Sequence, residues 1–223
     1  MRAHSAVILK QLQELIGGIY DVSIAHDVYD FLVTDRHRLP SPMRSHPTDE
    51  QLLVADRGPD EVGVSLFLDR ELLERLQRTD PLKSLNEGNV ADYWTALEGV
   101  SHFVYLAWNC GHDKPVTLHE LELQAEIDKY IASYWLLKRQ LPERFPAELM
   151  RLLFARTRID PTLAAGRIEI YRRATRYAER FCRRIERGLR AQHAGTEQQV
   201  LAELRRFYRW SEARKVAHIE AHA

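Results

Sequence analysis

Cys110-Gly111-His112-Asp113-Lys114-Pro115 separates two long helical patterns, and the fold turns on what lies on either side of it. Upstream, Val90, Tyr93, Trp94, Leu97, Val100, Val104 and Ala107 recur at the three- and four-residue spacing of one helix face. Asn89 stands where a cap belongs, and the pattern runs to about Asn109. Downstream, Thr117 and Glu120 hold the Thr-x-x-Glu relation of a capping box, in which each side chain can bond the other's free backbone amide. That helix reaches about Gln140, where Leu141-Pro142 ends it. So short a connection predicts antiparallel neighbours.

Working outward, Glu61–Leu68 carries the clearest β signal, with Val62, Val64, Leu66 and Leu68 alternating against Gly63, Ser65 and Phe67. With Gln51–Ala55 and the turn-rich Asp56–Asp60 it predicts a hairpin over 51–68. A lone hairpin is marginal, so its apolar side must rest on helices. Further helices are expected from Val7 to Gly17, over Arg70–Gln77, after Pro146, from Asp160-Pro161 to about Gln192 with a break near Gly166, from Thr196 to about Trp210, and after Ser211. Residues 20–33 fit strand and helix equally, and 36–49, with Pro40, Pro42 and Pro47, reads as loop. The sum is a predominantly α-helical α+β protein. A helical bundle over 84–223 and an N-terminal lobe over 1–83 share one domain.

The chain has 223 residues, 45% of them hydrophobic, which is enough for a core and excludes a wholly disordered polymer. No apolar run is long enough to span a bilayer. Met1–Lys10 lacks a signal-peptide apolar region, and Cys110 and Cys182 read as free thiols, so a cytoplasmic location is expected. There is no dinucleotide-binding glycine pattern, phosphate loop, His-Glu-x-x-His or Gly-x-Ser-x-Gly, which removes several common nucleotide and hydrolase mechanisms.

Net charge is zero but unevenly spread. Up to Gly111 there are 10 basic and 17 acidic residues, and beyond it 22 and 15. Arg172, Arg176, Arg180, Arg183 and Arg187 form a row at spacings of four, four, three and four, with Tyr171 and Tyr177 nearby. Such a row can grip an acidic partner or phosphates. The plainer reading is a solvated face, partly neutralised by Glu169, Glu179 and Glu186. Nucleic acid is not favoured, because no motif for it is present.

Glu98 and His102 lie four apart on the first long helix, and Glu122 and Glu126 four apart on the second, with His119 one turn before Glu122. If these faces meet, a carboxylate–imidazole cluster results, suited to general-base work or to a transition metal. The plainer readings are an i,i+4 ion pair and a solvated acidic stripe. The leading functional expectation is a non-enzymatic binding or regulatory protein that engages a protein or polyanionic partner through its arginine- and aromatic-rich helices. The alternatives are a helical metal-dependent enzyme with Glu98 and His102 as catalytic residues and His102, His119, Glu122 and Glu126 as ligands, and a nucleic-acid-binding protein. No particular cofactor is specified.

Overall fold

A computed structural model describes residues 5–44, 48–58, 61–155, 161–191 and 195–222. The fold is α+β and predominantly helical. The two long helices are α4, Val90–Cys110, and α5, Leu118–Gln140, joined by the expected tight turn. Asp113 in that turn has φ of 52°, a left-handed conformation that aspartate tolerates better than most side chains. They pack against α1, Ser5–Tyr20, and α7, Ala165–Arg190. Around them lie the short α2, Ser41–Arg44, together with α3, Arg70–Arg78, and α6, Leu149–Phe154. The chain closes with α8, Thr196–Tyr208, and α9, Glu212–Ala221. No described helix is long and apolar enough to cross a membrane.

The hairpin consists of β2, Glu50–Gly58, antiparallel to β3, Glu61–Leu68, with Leu52 opposite Leu66 and Val54 opposite Val64. The strands run further toward the tip than the Asp56–Asp60 turn implied, with a register shift between Asp56 and Gly58. The ambiguous segment after α1 makes a 3-10 turn at Val28–Phe31 and then β1, Leu32–Val33, which pairs parallel to β3. The order is β1-β3-β2. The proline-rich stretch expected as loop holds a 3-10 turn at Arg36–Arg38 as well as α2.

The sheet lies on α4, and Gly99 permits it. A Cβ there would stand 2.9 Å from both Glu50 Cγ and Leu66 Cδ1, inside any normal contact distance. The long helices are buried on more sides than one apolar stripe requires. In α5, residues 122–134 are all buried, charged ones included. One continuous apolar cluster runs from Ile8 in α1 through Leu66, Leu97, Val100, Ile127 and Cys182 to Ile219 in α9, so residues of 1–83 and of 84–223 share it.

Local signals at helix starts are only partly realised. Thr117 Oγ1 accepts from the Glu120 amide at 3.1 Å, but the Glu120 carboxylate turns into the core instead of back to Thr117. Asn89 ties down the preceding turn through Asn86, Thr79 and Ser84 and does not cap α4. Ser211 makes no side-chain cap, and Gly195, at φ of 83°, takes the capping position before Thr196. Gly166 lies within the first turn of α7 without breaking it, and Asp160 falls outside the described residues.

Candidate metal centre

The sheet edge, α4 and α5 converge on a buried group of charges, with α7 alongside. Glu98 and His102 project from one face of α4, as their four-residue spacing requires. Glu122, Glu126 and Lys129 project toward them from α5. Glu50, the first residue of β2, approaches from the sheet. His102 Nε2 lies 3.8 Å from Glu122 Oε2, and His102 Nδ1 lies 3.5 Å from Glu50 Oε1. Lys129 Nζ sits 2.7 Å from Glu98 Oε2 and 2.8 Å from Glu126 Oε1. Donor atoms of Glu98, His102 and Glu122 all fall within 4.8 Å of one another.

Distances decide what this arrangement can do. Separations of 3.5 and 3.8 Å are too long for good hydrogen bonds. The 3.8 Å between His102 Nε2 and Glu122 suits two ligands of one cation, which stand about 3–4.4 Å apart when each bond is about 2.0–2.2 Å. His102 Nε2, Glu50 Oε1 and Glu126 Oε2 are buried and have no hydrogen-bond partner among the described residues. A buried polar atom left unpaired costs about 1–3 kcal/mol, and His102 Nε2, which faces Glu122 and Glu98, is the one an ion there would satisfy. With Nε2 turned to the ligand position, Nδ1 faces the Glu50 carboxylate at 3.5 Å, the side on which carboxylates stand behind metal-bound imidazoles.

Charge points the same way. Four carboxylates face one lysine and one histidine. Burial raises Glu122 to about 7, His102 opposing and the neighbouring carboxylates reinforcing the effect. Burial alone would lower His102, but Glu122, Glu50 and Glu98 outweigh it and lift the imidazole to about 9. Glu50 is raised by burial, while Glu98 is held low by Lys129 and His102 despite its own burial. Without a cation the cluster retains protons to limit its negative charge. Glu98 keeps 26% of its side chain exposed, so solvent reaches the cluster at that edge. Tyr171 of α7 lies near enough that Glu122, Glu98 and Glu50, after burial, push its phenol upward.

His119 does not join this group. The helix turns it toward α9, where Nδ1 meets Glu212 Oε1 at 2.7 Å and its ring abuts Tyr177. Three residues along a helix is a 60° offset from a full turn, enough here to face another neighbour. Glu126 is gripped by Lys129, and Glu120, in the first turn of α5, is 4% exposed. Sequence reasoning missed Glu50 and Lys129. Lys129 carried a usable signal, three residues beyond Glu126 and seven beyond Glu122, whereas Glu50 carried none.

A second polar group occupies another side of α5. Asp128 accepts from the Tyr20 hydroxyl, from Ser101 Oγ at 2.5 Å and from Gln124 Nε2 at 2.8 Å. Lys215 of α9, fully buried, donates to Tyr105 at 2.7 Å and Gln124 at 3.0 Å and lies 3.5 Å from Glu120. These groups satisfy one another, as a structural network should.

On α7, Arg172, Arg176, Arg180, Arg183 and Arg187 are all exposed. Arg183 pairs with Glu179 at 2.6 Å and Arg176 with Glu169 at 3.6 Å. Arg172, Arg180 and Arg187 have no ion pair among the described residues. Tyr177 is engaged rather than free to stack, its hydroxyl donating to Glu220 and its ring lying against Arg173. Cys110 is exposed and Cys182 buried, and both are free thiols.

What fold and cluster together define is a helical α+β protein with a buried carboxylate–imidazole centre. No protein-family model, curated protein or solved structure matches the chain.

Proposed function

We propose that this protein is a metal-dependent enzyme whose ion is held by Glu98, His102 and Glu122. The observation that carries this reading is the buried, unpartnered His102 Nε2 beside Glu122, with a third donor from Glu98 in reach. One imidazole among carboxylates is an oxygen-rich set that suits Mn²⁺ or Fe²⁺ better than thiolate-seeking ions. Three protein ligands leave coordination positions open, which is the condition for catalysis rather than for a closed structural site. A bound ion would supply Lewis acidity toward a small oxygen-containing ligand. Glu50 orients the imidazole, and Lys129 offsets part of the carboxylate charge.

Metal analysis of protein purified without chelating resin tests this. Manganese or iron is expected at stoichiometric level, falling at least tenfold in Glu98→Ala and His102→Ala. Trace metal unchanged by either substitution would refute the reading.

The exposed arginine row supports a second reading, the docking of an acidic protein or other polyanion along α7, favoured by the three arginines without ion pairs among the described residues. Retention on a polyanion column should then weaken with added salt and drop on replacing Arg172, Arg180 and Arg187 with glutamine. Retention indifferent to both changes removes that surface from consideration.

A further inference from the structure

Lys129 stands between the two carboxylates that a second cation would use. Its Nζ contacts Glu98 Oε2 on α4 and Glu126 Oε1 on α5 at 2.7 and 2.8 Å. Glu98 is shared, because it also offers a donor to the group with His102 and Glu122. An ion bound to those same oxygens at about 2.1 Å would have to expel the ammonium, whose side chain is only 10% exposed. The group around the ammonium is not an acidic cluster alone. The His102 side chain, 7% exposed, has an unpartnered Nε2, and Glu126, 10% exposed, has an unpartnered Oε2.

We infer that the centre takes a single divalent transition-metal ion at Glu98, His102 and Glu122, and that the Lys129 ammonium is a built-in cation filling the place of a second ion. This inference rests on the metal-site reading above. Formal charge agrees. Glu50, Glu98, Glu122 and Glu126 with Lys129, a neutral His102 and one divalent ion sum to one negative charge. A second divalent ion beside the lysine would make the buried group positive. The chemistry available is that of one metal next to a fixed ammonium, not that of two metals clamping a bridging substrate.

The test is equilibrium dialysis of the full chain against Mn²⁺, with bound metal counted per chain and its electron paramagnetic resonance recorded. The wild type is expected to bind one ion with the six-line signal of isolated Mn²⁺. Lys129→Glu, which swaps the ammonium for a third donor beside Glu98 and Glu126, is expected to bind two, with the signal broadened by exchange coupling. Two ions in the wild type would overturn the inference and leave the metal site standing. No ion in the wild type would defeat the metal site itself. One ion in Lys129→Glu would show that the lysine does not hold a second position. Should that variant fail to fold, Lys129→Met frees the same carboxylates without adding charge. A second, weaker Mn²⁺ is expected there, and its absence overturns the inference.

Discussion

Asp128→Ala is expected to destabilise the protein by about 4 kcal/mol, lowering the melting temperature by roughly 10 °C or more for a chain of this size. Asp128 is 1% exposed and accepts from Tyr20, Ser101 and Gln124, groups from α1, α4 and α5. Alanine would leave three buried donors without an acceptor, each costing about 1–3 kcal/mol, and would take away a negative charge that Lys215 feels. Against a typical total of 5–15 kcal/mol that is a large fraction. Asp128→Asn keeps one acceptor oxygen and should cost only about 1–2 kcal/mol. Chemical denaturation of both variants measures the difference. If alanine costs no more than a surface substitution, about 0.5 kcal/mol, the network contributes nothing to stability.

The metal-free protein should lose roughly 5 kcal/mol of stability as pH rises from 5 to 8, and Mn²⁺ should offset about half of that loss. His102 is lifted from 6.5 to about 9, so its contribution is complete below pH 6.5 and vanishes as pH passes 9. Glu122 is raised from 4.5 to about 7, so the folded state holds that proton more tightly, and the benefit is lost between those values. The other groups facing them are Glu50, Glu98, Glu126, Lys129 and Tyr171. Asp128, raised by burial to about 6, adds in the same direction. Lys215, lowered by burial to about 8, acts oppositely and only above that pH, which fixes the useful window. Metal requires His102 neutral and Glu122 ionised, so its affinity rises with pH. At a hundredfold excess over its dissociation constant it adds about 2.7 kcal/mol, or roughly 5–10 °C in melting temperature. Thermal melts in chelator and in Mn²⁺ across the window read both slopes. A metal-induced rise of equal size in Glu98→Ala would place the ion elsewhere.

The parts of the architecture legible in the sequence were those with local causes. The period-two run at Val62–Leu68 and the turn at Cys110–Pro115 depend on neighbours in the chain, and both elements formed where their spacing put them. The i,i+4 pairs Glu98/His102 and Glu122/Glu126 were legible as pairs for the same reason. Their partners were not. Glu50 opens a strand, and only the docking of the sheet against Gly99 brings it to His102. Lys215 has the look of a solvated residue on a terminal helix, yet tertiary packing buries it completely. A central helix enclosed on nearly every side defeats the usual assumption that charge means water, and α5 is such a helix.

The ligand set also carries a temporal consequence. Glu50 leaves the ribosome well before Glu98, His102 and Glu122, and it can reach the imidazole only once the sheet has settled on the first long helix, while Glu122 joins only with the second. Contacts so distant along the chain form late, after the loop between them has been closed. The centre therefore marks completed folding. A nascent or truncated polypeptide that stops short of α5 would own two of the three donors and lack the one that α5 supplies.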